Sequence, residues 1–428
     1  MSITQERGII MSEVKIEKIM RQLSWKAGEL FLEGMNINDI AREVDTPAFV
    51  YSKEHITEQY SSFFSAFSDF NPIIAYAFKA NANLELLKLL AAMGCGADIV
   101  SGGELLLALM SGFPPEKIVF NGNGKIREEI DLAIEYDILQ FNADLYEEAE
   151  LINEIAGKQG KRARIAFRVN PDIDPKTHPY ITTGLKNSKF GISYNDAIET
   201  YKRAADLENI DIVGIHMHLG SQMTDISPLI EGVEKMAELI KRLRDNGVPL
   251  KYFDLGGGIG ITYKDEQPPT PADYAKSIGA ILKDLNITPI FEPGRYIVGN
   301  SGILLANVLY VKNNGYKNFV VADAAMNDLI RPAFYGAYHH IINTREKEGT
   351  TISADVVGPI CESGDFLGKD REFAGISAGD NIAVLSAGAY GFSMASTYNG
   401  RLRPAEVLVD KDNYSVIRHR QKIDTLAR

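Results

Sequence analysis

"PIIAYAFKANANLELLKLLAAMGCGADIVS", Pro72–Ser101, reads as one complete structural unit. It opens with a run of small and apolar residues, the pattern of a buried strand, continues into "NLELLKLLAAMG", which places Leu84, Leu87 and Leu90 on one helical face, and ends in a second short strand, "GADIVS". Two strands joined through a helix imply parallel pairing. One residue does not fit a purely structural unit: Lys79 stands near the end of the first strand, where an unpartnered ammonium is costly to bury. Either it snorkels out, or it is there for chemistry.

The unit repeats. From about residue 73 to 295 the strand-like runs are "PIIAYAFKAN", "GADIVS", "KIVFNG", "ILQFNA", "RIAFRVN", "IVGIHMHLG", "YFDLGGG" and "PIFEPGR", with helix-period segments between them such as "PLIEGVEKMAELIKRLRDNG", ended by Gly247. Alternating strands and helices over this span predict a (β/α)8 barrel of the TIM type rather than an open sheet. Lys79, Asp98, Asn121, Arg168, His218, Gly256 to Gly258 and Glu292 all fall at the C-terminal ends of their strands. That is the end at which such a barrel builds its active site. Beyond Arg295 the texture becomes β-rich, with hairpin-type turns at "NNG" (Asn313–Gly315) and "DKDN" (Asp410–Asn413), and predicts a mainly antiparallel C-terminal domain. "TPAFVYS" (Thr46–Ser52) is expected to add a strand to it. The expected organisation is an N-terminal segment, 1–52, partly packing with the β-domain; a barrel, 53–296; and a C-terminal β-domain, 297–428.

The 428 residues are 45% hydrophobic and 24% charged, ordinary for a soluble globular protein, and the formal net charge is -12. An acidic chain disfavours nucleic acid and anionic membrane as partners, so a small-molecule ligand is expected. Two cysteines, Cys95 and Cys361, cannot staple a chain of this length, which fits a reducing compartment. No long apolar run opens the sequence or approaches the roughly 20 residues of a membrane helix, so a cytoplasmic location is expected; Met11 could be an alternative start.

Several motifs carry chemistry. A lysine buried at a strand end has a lowered pKa and suits a Schiff base with an aldehyde cofactor, although pairing with Asp98 is the plainer alternative. "LGGGIG" (Leu255–Gly260) does not fit the dinucleotide fingerprint, because Ile261 stands where a glycine is needed, and reads instead as a phosphate cradle on a late barrel strand. "FEPGRY" (Phe291–Tyr296) puts Glu292 directly after a strand and Arg295 three residues on. A carboxylate there can keep a pyridine nitrogen protonated and make pyridoxal phosphate a strong electron sink. "HMHLGS" (His216–Ser221) carries the spacing of a metal pair, but further histidines at strand ends are missing, and no metal is expected.

Together "YAFKAN", "SGGEL", "FRVNPDIDPKTHPYITTGLKNSKFGI", "HMHLGSQ", "DLGGGIG", "EPGRY", "RPAFYGAYH", "CESGD" and "AGAYGFSMASTYNGRLRP" run in order from about residue 45 to 410. They resemble the diaminopimelate decarboxylase family, pyridoxal-phosphate-dependent enzymes whose fold is shared with alanine racemase. The resemblance implies decarboxylation of meso-2,6-diaminopimelate to L-lysine and carbon dioxide. It also implies a set of roles. Lys79 bonds the cofactor aldehyde. Asp98, Arg168, His218, Ser221, Gly256, Gly257, Gly258, Glu292, Arg295 and Tyr390 surround the cofactor. Arg295, Arg331, Tyr335, Glu362 and Tyr390 bind the substrate, Cys361 donates the proton, and Lys79, Cys361 and His218, stacked on the cofactor ring, form the catalytic set. Cys361 and Glu362 are implied to reach the site of a second subunit, making a homodimer with shared sites. A same-fold enzyme acting on ornithine, arginine or carboxynorspermidine is the nearest alternative. A pyridoxal-phosphate-binding regulator is a remoter one, disfavoured by the presence of Lys79, Glu292 and Cys361 together.

Overall fold

The computed structural model describes residues 16–174 and 189–426. Part of the quoted stretch at 167–192 therefore lies outside the described residues, as does Met11. Eight parallel strands close a barrel in chain order: Ile73–Ala77, Gly96–Ile99, Ile118–Phe120, Gln140–Ala143, Ala163–Asn170, Ile210–His216, Tyr252–Asp254 and Thr288–Phe291, the last pairing back onto the first. All eight coincide with the runs expected from the sequence. The connecting helices bury their apolar faces on the barrel. Gly247, at φ 83°, follows the Ser227–Asp245 helix as expected. In the Leu84–Ala92 helix the buried face is Leu86, Leu87 and Leu90, with Leu84 only half-buried. Positions three apart drift around a helix of about 3.6 residues per turn, so 84, 87 and 90 do not keep one line and the buried face follows 86, 87 and 90.

Register decides which strand ends meet. Ile290 and Phe291 pair with Ile73 and Ile74, so Glu292 and Lys79 leave neighbouring strands at the same rim. Ala77 pairs with Asp98, and His216 pairs with both Arg168 and Asp254. Lys79 itself sits in a short 3-10 turn, Phe78–Ala80, just past its strand.

The second domain is a mixed sheet rather than a purely antiparallel one. The order runs Phe366–Ala374, Thr351–Val357, Asn318–Ala322, Gly302–Asn313, Ala48–Ser52, Ala405–Asp410, Asn413–Arg418. Two pairings are parallel, Asn318–Ala322 with Thr351–Val357 and Ala48–Ser52 with Ala405–Asp410. In both, a long excursion of chain separates the partners, which is what parallel pairing requires. Ala48–Ser52 lies between two strands from the far end of the chain, so the sheet is built from both sides of the barrel. A small sheet of Leu23–Lys26, Glu29–Leu32 and Met35–Asn36, with the Ile37–Val44 helix that follows it, packs Leu30, Leu32 and Ile40 against Val50, Leu305 and Val407 of that sheet. Among the described residues no helix is long and apolar enough to cross a membrane.

Candidate active site

A cavity of about 510 Å³, the size of a small-molecule site, opens at the C-terminal ends of the barrel strands. Lys79, Arg168, His218, Ser221, Gly256 to Gly258, Glu292 and Arg295 line it from the barrel, and Arg331, Tyr335 and Tyr390 from the second domain. Asp98 lies beneath rather than in the wall. Its Oδ2 accepts a hydrogen bond from Lys79 Nζ at 3.1 Å, and its Oδ1 accepts one from Asn121 Nδ2 at 2.7 Å. Cys361 and Glu362 do not line the cavity of their own chain. Both are exposed, with the Cys361 amide donating to Asn399 Oδ1 (2.8 Å) and Tyr398 donating to Glu362 Oε1 (2.6 Å).

The Lys79 side chain is 41% exposed, open to the cavity rather than sealed in the barrel. The sequence expectation of a lowered pKa does not hold. Burial works against the charge, but the Asp98 and Glu292 carboxylates outweigh it and hold the amine above its ordinary value. Three carboxylates share this floor, and their protons divide unequally. Burial, with Glu292 beside it, pushes Asp98 up to about 7. Asp254 is raised well above the carboxylate range for the same two reasons. Burial also raises Glu292, but His216, Lys79 and His218 prevail and hold it well below the usual range. Of the three acids, Glu292 is the one held most firmly in its charged form. An amide ladder spaces the three acids. Gln140 donates to Asn142 Oδ1 (2.7 Å), Asn142 donates to Asn121 Oδ1 (3.0 Å) and Asp254 Oδ2 (2.9 Å), and Asn121 donates to both Asp98 and Glu292.

The two histidines of "HMH" serve separate partners. His216 Nε2 lies 3.5 Å from Glu292 Oε2, whereas His218 Nδ1 accepts from the Gly257 amide at 3.2 Å; both histidines line the cavity. Burial first, and then the Arg168 charge, holds His218 well below its ordinary pKa. His216, Asp254 and Glu292 bring ligand atoms within 4.8 Å of one another, close enough for a cation. The same proximity is what concentrates the negative charge on Glu292.

The glycine turn is tight. Gly256 and Gly258 have φ of 68° and 121°, and a Cβ on Gly257 would come within 2.4 Å of the Glu292 carbonyl oxygen. Facing it, Arg295 donates to Ser221 Oγ (3.1 Å) and to Tyr263 Oη (2.6 Å), while its buried Nε has no hydrogen-bond partner among the described residues. An orphaned guanidinium nitrogen beside a hydroxyl and a close-packed glycine turn fits a bound phosphate. With a lysine amine and an ionised carboxylate in the same cavity, the residues present fit pyridoxal phosphate.

Sequence reasoning missed Asp254, Asn142, Tyr263 and His339 as site residues. An acid ending the buried run "YFD" was a usable signal for Asp254. Nothing in "ITYKDEQ" marks Tyr263, whose ring lies between Arg295 (5.9 Å) and Arg331 (4.7 Å) only because a loop folds back over the mouth.

The fold and the site define a pyridoxal-phosphate-dependent enzyme on a barrel. Residues 53–299 match the family model described as pyridoxal-dependent decarboxylase, pyridoxal binding domain. The chain is 51% identical over 403 residues to the diaminopimelate decarboxylase of Aquifex aeolicus, covering 94% of this chain and 96% of that one. It is 44% identical to that of Methanocaldococcus jannaschii over 410 residues, covering 92% and 93%. Among solved structures, the Helicobacter pylori diaminopimelate decarboxylase complexed with L-lysine matches at a TM-score of 0.89 and 42% identity, covering 91% of this chain and 98% of that one. The chain belongs to the diaminopimelate decarboxylase family of pyridoxal-dependent decarboxylases.

Proposed function

We propose that the chain decarboxylates meso-2,6-diaminopimelate to L-lysine and carbon dioxide, and that the residues gathered at the barrel mouth do the work. The observation that carries the substrate reading is Arg331. It is buried, lines the cavity and, among the described residues, forms no salt bridge. Diaminopimelate has an amino acid at each end, so when one end reacts at the cofactor the other brings a carboxylate to that cation. Ornithine or arginine would leave it unpaired, and a site built to bind a substrate group rejects analogues that lack it.

Lys79 would hold the aldehyde end of pyridoxal phosphate. Arg295, Ser221 and the Gly256–Gly258 turn would hold its phosphate, His218 and Arg168 would border the ring, and Glu292 would face the ring nitrogen. When bound, the cofactor accepts the electron pair left on the α-carbon as carbon dioxide departs. Glu292, kept ionised by its surroundings, sustains the proton on the ring that this requires. The Lys79 amine, at the same rim as Glu292, would also be placed to hold or move a proton near the substrate's α-carbon. Arg331, Tyr335 and Tyr390 hold the far end of the substrate.

Cys361 and Glu362 lie outside their own chain's cavity, which supports a homodimer in which each copy completes the other's site. Cys361 then supplies the proton that replaces carbon dioxide on the α-carbon, and Glu362 meets the distal ammonium. The test has two parts. Carbon dioxide release should favour meso-diaminopimelate over ornithine and arginine by at least about a thousandfold in kcat/KM; equal rates would overturn the substrate assignment. Mixing Lys79→Ala and Cys361→Ala chains under subunit exchange should restore roughly a quarter of wild-type activity, because half the dimers carry one intact site. No recovery despite exchange would refute the shared site.

A further inference from the structure

Arg331 is held by an unusual partner. Its Nη1 lies 2.8 Å from His339 Nε2, and His339 Nδ1 lies 2.8 Å from the Leu385 carbonyl oxygen. A guanidinium can only donate and a carbonyl can only accept, so the ring hydrogen is on Nδ1 and Nε2 is the acceptor. His339 is fully buried, and its ring meets Tyr263 edge-on at 5.4 Å, while the Arg331 guanidinium lies over that same Tyr263 ring at 4.7 Å. The guanidinium is therefore fixed on its edge by an imidazole and on its face by an aromatic ring, neither of which carries charge. Burial first, and then the Arg331 charge itself, keeps His339 far from protonation. A carboxylate in the place of His339 would hold Arg331 equally well but would neutralise it before substrate arrived. A neutral acceptor orients the cation and leaves its charge for the ligand.

We propose that His339, with Tyr263 as its platform, is the positioning residue that aims Arg331 and so sets the preference for ligands bearing a distal carboxylate. This rests on the substrate reading above. Neither residue need touch the substrate. His339 ties the Arg331–Tyr335 helix to the end of the Asn381–Val384 strand, so the aim of Arg331 is set jointly by the second domain and, through Tyr263, by the barrel.

Two variants separate aiming from packing. In His339→Asn the amide nitrogen can take the place of Nδ1 and keep the Leu385 bond, but nothing reaches Arg331. In His339→Gln the longer side chain brings an amide oxygen to the place of Nε2. The measurement is the affinity of the cofactor-loaded protein for L-lysine relative to 1,5-diaminopentane, by calorimetry, since the two differ only in the distal carboxylate. Reading each ratio within one preparation removes any loss of folded fraction. His339→Asn should lower the ratio by about tenfold or more, the usual worth of a well-aimed charged contact. It should also raise KM for diaminopimelate more than it lowers kcat, and His339→Gln should recover most of the ratio. An unchanged ratio in His339→Asn, or equal losses for both ligands in both variants, would overturn the proposal and leave His339 as packing. A wild-type protein that binds the two ligands alike would sink the substrate reading itself, and this proposal with it.

Discussion

Replacing Glu292 by Gln tests the electrostatic design most directly. The side chains are nearly isosteric, so the barrel keeps its packing, and the change is one charge on a buried rim. In the wild type that carboxylate accepts a hydrogen bond from Asn121 Nδ2, lies 3.5 Å from His216 Nε2, and helps to hold the Lys79 amine protonated. The neutral amide loses the charge-assisted interaction with the cofactor's ring proton, worth about 1.5–3 kcal/mol. If that interaction is made fully only as carbon dioxide departs, turnover should fall about 10- to 150-fold with cofactor retained. Glu292→Asp, which keeps the charge but draws it back by one methylene, should lose less. The assay is carbon dioxide release at saturating substrate, with cofactor content read from its visible absorbance. Since Glu292 also raises Asp98 and Asp254, both carboxyls should titrate lower in Glu292→Gln, a shift visible by carboxyl NMR or infrared difference spectra. Unchanged turnover at full cofactor occupancy would refute the claim that the ionised carboxylate drives the reaction.

Lys79→Ala should abolish turnover and the absorbance of the covalently held cofactor while leaving the melting temperature within a few degrees, because a 41% exposed side chain contributes little packing; near-normal activity would place the cofactor lysine elsewhere. His55 is buried between Gln22 Oε1 (2.9 Å) and Gln59 Nε2 (3.3 Å), and burial, then the Arg21 charge, lowers it to about 3. A depressed histidine gives stability that is present above about pH 6.5 and is lost as pH falls toward 3, so denaturant titrations of His55→Gln should show a shallower loss of stability over that window than wild type, by up to roughly 4–5 kcal/mol at its acid end; parallel pH profiles would refute it.

What the sequence made legible was the periodic part. Strands of the barrel are buried on both faces and so read as short apolar runs, and most are followed by a polar or glycine residue near the rim where the cavity opens. Lys79, Glu292 and the glycine turn could be found because they break that pattern. Partners that come together only through tertiary folding left no local trace. Asn121 and Asn142 stand on neighbouring strands and Asp254 lies across the barrel from them, so their ladder exists only once the barrel has closed. The protonation of Lys79 was misjudged for the same reason. Burial was readable from its strand, but the second carboxylate that overrides burial arrives from residue 292, over two hundred positions away.

The two ends of the cavity are opposite electrostatic problems with one kind of solution. At the cofactor end three carboxylates are crowded around one lysine, and uncharged amides separate them so that one acid, Glu292, is held most firmly charged. At the far end Arg295 and Arg331 are both buried, and among the described residues their side-chain hydrogen-bond partners are a serine and a tyrosine hydroxyl and an imidazole nitrogen, again uncharged. Buried like charges without counter-ions cost stability in the empty protein, so the ligands supply what the fold withholds: phosphate and carboxylate for the arginines, a protonated ring for Glu292. The phosphate would come with the cofactor and the carboxylate with the substrate, so a substrate lacking the distal carboxylate would leave the buried Arg331 guanidinium unpaired, and selectivity would follow from that cost.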